Sequence, residues 1–365
     1  MVRRMIFQNV IHRPIRTMVS VLGIAVEVGM VMLVVGLTHG MLRASAKRIG
    51  GLGADVMVEP PNASIFMGLT SAPMPIKLGD YFGRLEHVRA VTPVIFQFTT
   101  AGARLIWGID PKSWNRVTGG FVYLQGGALA APYDILVDNY YARQDHIKVG
   151  QTLNLLNHDF RVVGIVEHGK GSRLFIPIET AEHLAGQRAR ASVFFIKCTN
   201  PGYTADVVSE IKKLASNYAV FSVRNYMSLL TSNDLPALND FIMVIIGIAV
   251  IIGFLVIFLS MYTTVGERTR EIGILKSLGA TQAYIIGLIL LEAGALSIAG
   301  IIVGYGGTWA GWKLIEDVFP TLTVELTLRW AAWAALLALG GALLGSFYPA
   351  LHAARLDPVD ALAYE

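Results

Sequence analysis

Long apolar runs alternate with polar segments along this chain. Four runs reach the length of about 20 residues that a helix needs to cross the hydrocarbon core of a bilayer. The second and fourth contain no charged residue, and the first and third carry one carboxylate each, Glu27 and Glu292. The pattern predicts an integral membrane protein with four transmembrane α-helices, at residues 18–40, 241–264, 283–307 and 330–351.

The segment between the first and second runs, residues 41–240, has a different pattern. Short runs rich in β-branched and aromatic residues alternate with amphipathic helical patterns, and glycine and proline turns separate them. Cys198 is the only cysteine, so an intrachain disulfide is excluded and an apolar core must stabilise the segment. We expect an α+β domain, with strands at 54–59, 94–99, 104–109, 152–156, 160–167, 173–178 and 193–198 and helices at 81–86, 139–146, 179–184 and 204–215.

Composition supports the membrane assignment, since 54% of the residues are hydrophobic, 15% are charged and the mean hydropathy is +0.54. An average soluble domain carries about 25% charged residues. The first apolar run also resembles a signal peptide, because arginines precede it and Ala44-Ser45-Ala46 follows it. The apolar region of a signal peptide is only roughly 7–15 residues long, so we expect this run to remain as an anchor.

The basic residues set the expected orientation. The amphipathic segment 1–17 contains arginines and no acidic residue, whereas the loop 308–329 leans acidic. Lys and Arg concentrate on the cytoplasmic side of membrane proteins. We therefore expect the N-terminus, the segment 265–282 and the tail 352–365 to lie in the cytoplasm. The α+β domain and the loop 308–329 then lie outside the cytoplasm.

No sequence pattern points to an active site. The run Gly164–Gly171 comes within one residue of a phosphate-binding loop, which needs Ser or Thr after its lysine and a helix after the loop. A β-like run follows, so we interpret this stretch as a hairpin turn. Zinc-protease, nucleophile-elbow and metal-cluster patterns are missing from the sequence. We expect neither an enzyme nor a nucleic-acid-binding protein, and no metal site.

The segment 265–282 is charged and helix-prone, yet it lies between two of the most apolar runs. On a helix its apolar side chains form one stripe, its charged side chains can pair at i,i+3 spacing, and a glycine follows as a left-handed C-cap. Thr281 can then cap the next helix. Spacing alone leaves two interpretations, a docking helix for a partner and an amphipathic loop on lipid headgroups. The stripe is Ile272, Leu275 and Leu278, the pairs are Glu267 with Arg270 and Arg268 with Glu271, and the glycine is Gly279.

Residues 266–281, GERTREIGILKSLGAT, resemble the cytoplasmic loop of the MacB/FtsX-type ABC transporter permeases, the type VII mechanotransmission family that includes DevC- and LolC-like permeases. Four other stretches are similar to the same family in order and spacing, so the resemblance covers nearly the whole chain. They are Arg13–Thr17 before the first run, Gly53–Val56 and Val149–Ala181 in the α+β segment, and Arg355–Leu362 near the C-terminus.

The resemblance implies a permease subunit of an ABC transporter in a bacterial inner membrane. Two permease subunits would pair in the membrane, as a homodimer or as this chain with a relative. A separate cytoplasmic ATPase would bind ATP and Mg, so this chain itself would need no cofactor. A coupling helix from Glu267 to Leu278 would insert its apolar stripe into a groove on the ATPase, while its charged residues fix the register. The second run would extend outward as a stalk that starts at Asn233-Asp234-Pro236 and moves the outer domain, which a periplasmic adaptor could join.

Glu27 departs from the family, which often has a small residue at this place. A carboxylate near the middle of a membrane costs roughly 2.5–3.5 kcal/mol, so we expect a compensating contact. One hypothesis is that Glu27, with Glu292 at a similar depth in the third run, contacts a substrate or the dimer seam. The other is that Glu27 is protonated and hydrogen-bonded and has a structural role only.

Three classes of function follow. The first is an exporter permease that moves or extracts a lipophilic compound, a lipid or lipoprotein, or a peptide. The second is a signal transducer that uses ATP to switch an outer partner, such as a cell-wall hydrolase, without transport. The third is a stand-alone membrane enzyme, which the missing catalytic patterns disfavour. The sequence favours the first class and carries no pattern that names the substrate.

Overall fold

The computed structural model describes residues 14–61, 73–99, 104–186, 188–231 and 236–358. Within these residues the chain forms two compact units, one helical and one α/β. The helical unit is drawn from Met1–Gly40, Pro236–Asp317 and Val324–Glu365, and the α/β unit from Met41–Leu235 and Val318–Thr323. The α/β unit therefore combines the segment between the first two apolar runs with a short piece of the loop between the third and fourth.

Helices and strands are labelled in chain order. The helices are α1 (Pro14–Gly50), α2 (Leu78–Phe82), α3 (Pro111–Thr118), α4 (Asn139–Gln144), α5 (Ile178–Ala185), α6 (Thr204–Leu214), α7 (Val223–Thr231), α8 (Pro236–Glu267), α9 (Thr269–Ser277), α10 (Gln282–Val318) and α11 (Leu328–Arg355). The strands are β1 (Val56–Glu59), β2 (Met74–Pro75), β3 (Val88–Phe98), β4 (Leu105–Ile109), β5 (Tyr123–Gly126), β6 (Asp134–Asp138), β7 (Thr152–Leu155), β8 (His158–Val166), β9 (Leu174–Pro177), β10 (Arg190–Ala191), β11 (Val193–Cys198) and β12 (Ala219–Ser222).

Helices α1, α8, α10 and α11 are long and apolar enough to cross a membrane, which confirms the four predicted spans within the described residues. A helix satisfies its own backbone hydrogen bonds, as a chain inside hydrocarbon requires. Both α1 and α10 continue well beyond their apolar runs, to Gly50 and Val318, whereas α8 begins at Pro236, shortly before its run. The long helical extensions thus belong to α1 and α10, and the expected stalk residues Asn233 and Asp234 lie outside the described residues.

Small residues allow the membrane helices to approach closely. The buried stripe of α11 is built almost entirely from Ala, Gly and Ser. A Cβ on Gly345 would lie 2.7 Å from the carbonyl oxygen of Phe254 in α8, so backbone and backbone are nearly in contact there. Lipid is as apolar as a leucine side chain, so close packing and interhelical hydrogen bonds hold membrane helices together. One such bond joins the buried hydroxyls of Ser20 in α1 and Ser260 in α8, at 2.6 Å.

Among the described residues, ten strands form one mixed sheet in the order β12-β1-β11-β3-β4-β9-β6-β8-β5, with β7 paired to β8. The pairs β4–β9 and β6–β8 are parallel, and the other pairs are antiparallel. Strands β2 and β10 form a separate two-stranded sheet. Every predicted strand is present, β11 with the predicted bounds and the others with shifted ends. The predicted helices correspond to α2, α4, α5 and α6, of which α2 lies a few residues earlier than expected.

The elements that were not predicted are the strands β2, β5, β6, β10 and β12 and the helices α3 and α7. All five residues of β6 are buried, so the strand shows none of the polar–apolar alternation that a half-buried strand gives. Helix α3 does carry readable signals: Asp110 accepts hydrogen bonds from Lys112 N and Ser113 N as the N-cap, and Gly119 ends the helix at φ +75°. The sequence therefore contained the evidence for α3 but not for β6.

The stretch Gly164–Gly171 is not a hairpin turn, and the prediction is wrong on this point. It contains the end of β8 and leads towards β9, but β6 lies between these two strands in the sheet. The connection therefore crosses over a strand. Because a strand and not a helix follows it, the geometry of a phosphate-binding loop is not formed.

Candidate functional site

Helix α9, the connection between α8 and α10, is the first candidate site. Its end is a Schellman motif, in which Gly279 N donates to Lys276 O and Ala280 N donates to Leu275 O, each at 3.0 Å. Gly279 has φ +97°, a conformation that side chains rarely adopt. Thr281 Oγ1 then accepts a hydrogen bond from Tyr284 N at 3.2 Å. Both predicted caps are confirmed, and they turn the chain sharply from α9 into α10.

The start of this helix differs from the prediction. It begins at Thr269, and Glu267 is the last residue of α8. The spacing predicted Arg270 as the partner of Glu267, but the structure gives Arg16 of α1, which also donates to Thr264 Oγ1 at 3.1 Å. Glu267 and Arg16 therefore join α8 to α1.

Arg268 connects three helices. Its Nε lies 2.8 Å from Glu271 Oε2, which confirms the predicted i,i+3 pair. Its Nη1 lies 3.1 Å from Glu292 Oε2 in α10, and the side chains of this second pair are only 14% and 12% exposed. Glu292 is thus paired with a cation within the chain, and its contact with a substrate or the dimer seam stays a prediction. Removing one member of a buried ion pair costs roughly 3–5 kcal/mol, because the other charge stays buried without a partner.

The predicted apolar stripe is divided by the fold. Ile272 is buried and Leu275 is half-buried, and both pack in the core formed by the membrane helices. Leu278 is 80% exposed, and Ile274, which the stripe did not include, is 46% exposed. With the exposed Arg270, these two residues form a face at four-residue spacing, which places them on one side of the helix. We call Arg270, Ile274 and Leu278 the outer face of α9.

Lys276 fixes the C-terminal half of α9. Its Nζ donates to the carbonyl oxygens of Ala354, at 3.0 Å, and of Leu356, both at the C-terminal end of α11. The last carbonyl groups of a helix have no partner within the helix and carry partial negative charge, so a lysine stabilises them. Sequence analysis missed this residue because its partners are backbone atoms about eighty positions away.

Glu27 lies inside the helical unit. Its side chain is 4% exposed, and its Oε1 has no hydrogen-bond partner within the described residues. The carboxylate fills the space left by Gly253 of α8, where a Cβ would lie 1.8 Å from Oε2, and Gly341 of α11 borders the same place. Glu27 therefore occupies an interhelical junction, and its Oε1 lacks the hydrogen bond that a purely structural role was expected to supply. The contact of Glu27 with a substrate or the dimer seam stays a prediction.

The described residues contain no group of three or more His, Cys, Asp or Glu side chains that could hold a metal ion. Helix α9 is a short helix that contacts α10 and the end of α11 on one side and exposes Ile274 and Leu278 on the other.

Two family models match the chain, and together they follow its order of elements. The MacB-like periplasmic core domain matches residues 17–214, and the FtsX-like permease C-terminal model matches residues 243–358. The macrolide export ATP-binding/permease protein MacB of Sodalis glossinidius is 26% identical over 97% of this chain and 59% of its own length. The chain thus spans a little over half the length of such relatives.

Two further proteins are similar to this chain. The uncharacterized ABC transporter permease YknZ of Bacillus subtilis is 23% identical over 99% of this chain and 98% of its own length. The crystal structure of the periplasmic region of MacB from Actinobacillus actinomycetemcomitans covers 51% of this chain and 96% of that chain, with 15% identity and a TM-score of 0.39. Together with the four apolar helices, the relatives indicate an inner-membrane protein. Because one family model matches more than half of the chain and the other matches its last three membrane helices, the chain belongs to the MacB/FtsX-type ABC transporter permease family.

Proposed function

We propose that this chain couples a separate cytoplasmic ABC ATPase to its own membrane helices through α9. The observation that carries the proposal is the two-sided character of this helix. One side is attached to the membrane helices, and the other side, the outer face, is exposed although it contains two large apolar side chains.

The attached side is suited to transmit force. Arg268 pairs with Glu292 of α10, Lys276 binds the end of α11, and Ile272 packs into the core of the helical unit. A displacement of α9 therefore acts on several helices together. A loose loop without these contacts would bend and leave the helices in place.

The outer face is suited to dock. Ile274 and Leu278 are apolar, and Arg270 and Glu271 beside them are charged and exposed. Protein interfaces commonly have an apolar centre and a polar rim, and this patch has that composition. ATP and Mg would be bound by the ATPase, so this chain supplies the contact surface and not the nucleotide site.

Export is the proposed outcome of this coupling. Relatives that share the permease portion are named for macrolide export and pyoverdine export. In our proposal the periplasmic core domain changes shape as the membrane helices move, and a lipophilic compound, a lipid or lipoprotein, or a peptide is expelled or extracted. The active assembly contains a second permease, either a copy of this chain or a relative, and a periplasmic adaptor where the cargo must cross an outer membrane.

The test is purification of the tagged full chain from its native host in mild detergent, with ATP hydrolysis measured in the eluate. Mass spectrometry identifies the co-purifying protein, and nucleotide-binding motifs in its sequence identify it as the ATPase. The double variant Ile274→Asp, Leu278→Asp is expected to lose the co-purifying ATPase activity by at least about tenfold, because burying two carboxylates in an apolar contact is costly. The control is Leu124→Asp, Leu214→Asp, which makes the same type of change at exposed positions of the α/β unit.

Leu275→Asp would be a misleading variant, because Leu275 packs inside the chain and its loss disturbs folding. Retention of the wild-type amount of ATPase by the Ile274→Asp, Leu278→Asp variant would contradict docking through the outer face. Absence of any ATPase from inserted, folded wild-type protein would contradict the proposed function as a whole.

A further inference from the structure

One edge of the ten-stranded sheet in the α/β unit is open within the described residues. Strand β12 pairs with β1 on one side, and no described strand pairs with its other side. An edge strand presents a row of N–H and C=O groups to which the backbone of a further strand can bind. Strand β12 is therefore a place where another chain can join the sheet.

The register of β1 and β12 shows which backbone groups face outward. Val223 N donates to Asp55 O at 2.9 Å, and Ser222 lies opposite Val56 at the next pair. In an antiparallel pair, hydrogen-bonded and non-hydrogen-bonded positions alternate. Ser222 and Val220 therefore direct their N–H groups away from β1, and Val220 directs its C=O group the same way. An added strand makes its hydrogen bonds at this two-residue spacing.

A groove of about 620 Å³ borders this open edge, and all of its lining residues belong to the α/β unit. The successive residues Val220, Phe221 and Ser222 of β12 all line it. Side chains of successive strand residues point to opposite faces of a sheet, so the surface that these three residues share is the backbone edge. The groove therefore gives a ligand access to the outward N–H and C=O groups.

Helix α6 forms the opposite wall of the groove. Thr204, Val208 and Lys212 line the groove at four-residue spacing, which places them on one side of the helix. Val207 and Ile211, on the neighbouring side of α6, are fully buried in the core of the sheet. The helix is thus held in place beside the edge, and an extended chain between the two would direct every second side chain towards α6.

The charged residues of the groove favour an acidic ligand. Lys212 of α6 and Arg224 of α7 line the groove, are exposed and form no ion pair within the described residues. Asp55 also lines the groove, but its Oδ2 lies 3.1 Å from Lys197 Nζ and accepts a hydrogen bond from Cys198 N at 2.9 Å. The groove therefore carries two positive charges that no carboxylate of the described chain neutralises.

We propose that this groove binds an extended, acidic segment of a partner protein, which adds to the sheet beside β12. The main chain of the segment pairs with Val220 and Ser222, every second side chain packs against Val208, and acidic side chains approach Lys212 and Arg224. In strand addition the main-chain hydrogen bonds supply affinity, and the alternate side chains supply specificity. Complementary charge speeds association and excludes partners of like charge. The inference goes beyond the proposed function and does not depend on ATPase docking to α9.

The experiment uses the full chain in dodecyl maltoside micelles and measures the fluorescence anisotropy of labelled peptides. The probe is the acidic peptide EEVTVTVEE, at about 20 mM salt, where surface charges are weakly screened. One control peptide is KKVTVTVKK. The other is the acidic peptide with its five central residues N-methylated, which keeps the charge and removes the central N–H donors. We expect saturable binding of the acidic peptide and at least about tenfold weaker binding of each control.

Two pairs of variants locate the binding site. Lys212→Glu with Arg224→Glu should weaken binding of the acidic peptide by about tenfold at low salt, because like charges then face each other. The matched control is Lys213→Glu with Arg84→Glu, which reverses two exposed charges outside the lining of the groove and gives the same net charge. This control should bind the peptide as the wild type does.

Ser222→Pro tests the strand pairing itself. Proline removes the outward N–H group, and an edge strand tolerates proline where the N–H faces away from its neighbour. The control Ser222→Ala keeps this N–H group and removes the hydroxyl, which accepts a hydrogen bond from Asn225 N at 3.1 Å. We expect Ser222→Pro to bind the acidic peptide about fivefold or more weakly than Ser222→Ala. Protection of the buried thiol of Cys198 from maleimide verifies that each variant is folded.

Four results would overturn the proposal. The first is the absence of saturable binding of the acidic peptide to the wild type. The second is equal affinity for the acidic peptide and its N-methylated form, which would indicate an ionic contact without strand pairing. The third is equal affinity of the two charge-reversed double variants. The fourth is competition by inorganic phosphate as strong as that by unlabelled acidic peptide, which would assign the groove to a small anion.

Discussion

Replacing Gly171 by alanine tests the packing of the α/β unit against the buried ring of Trp107. Gly171 has φ +83°. A Cβ at this position would lie 2.2 Å from Trp107 Cζ3 and 2.3 Å from Trp107 Cη2. The indole ring has no space to move, because the rings of Trp114, Phe175 and Phe195 surround it with centroids 5.6 to 6.3 Å away. The variant therefore combines backbone strain with a steric clash.

The two costs can be separated with a second glycine. A side chain in the left-handed region costs roughly 1–2 kcal/mol, and overpacking a filled core costs roughly 1–3 kcal/mol. Gly119 has φ +75°, and an added Cβ there has no atom within 4 Å. Gly119→Ala therefore carries the strain alone, and Gly171→Ala carries both. The difference of about 2 kcal/mol corresponds to roughly a 30-fold difference in the population of the opened unit.

The single thiol of the chain provides the assay. Cys198 lies in β11, paired to β3, and is 1% exposed, so maleimide reaches it only when this part of the sheet opens. The labelling rate, divided by the rate in the urea-unfolded chain under the same conditions, gives the fraction opened. We expect Gly171→Ala to label roughly 30 times faster than Gly119→Ala, in proportion to the ~2 kcal/mol clash. Equal rates in the two variants would show that Trp107 gives way at no cost and would refute the packing argument.

Two further predictions use the same logic elsewhere. Burial of the Glu59 side chain raises its pKa from 4.5 to about 7, so the folded state keeps a proton that the unfolded state has lost between these pH values. The stability of the α/β unit should then fall by up to about 3 kcal/mol as pH rises from 4.5 to 7, and the normalised Cys198 labelling rate should rise accordingly. The profile of Glu59→Gln should be flat, and an equally flat wild-type profile would contradict the assignment. In the membrane helices, Gly345→Ala should lower the free energy of unfolding in detergent by about 1–3 kcal/mol, measured by circular dichroism titration. The control Gly340→Ala should have little effect, because its Cβ would meet no atom within 4 Å. Equal effects of the two variants would count against the close contact of α8 and α11.

In the candidate site, the sequence predicted interactions between residues that are close together in the chain. The C-cap at Gly279, the N-cap at Thr281 and the pair of Arg268 with Glu271 all join residues within a few positions of each other. Their geometry follows from the helix period and from backbone preferences alone. They formed as expected, whereas the first residue of α9 was misplaced and Glu267 pairs with Arg16 instead of the predicted Arg270.

The interactions that give α9 its two sides were not predicted. The sequence placed Ile272, Leu275 and Leu278 on one stripe, but the fold buries the first two and exposes the third together with Ile274. The stripe describes only angles around the axis of α9. Which side of α9 is buried depends on where α10 and α11 lie, and the sequence of α9 alone does not specify this.

The same division holds for the whole chain. The sequence by itself determined the four membrane helices, because a chain in hydrocarbon must be helical and apolar over a known length. It also determined seven of the twelve strands among the described residues, where runs of β-branched and aromatic residues lie between glycine and proline turns. Only the tertiary structure decided that β6 lies between β8 and β9, that Glu292 pairs with Arg268, and that Arg48 and Tyr141 share a cavity. These are contacts between residues far apart in the chain, and their energy exists only after the chain has brought the partners together.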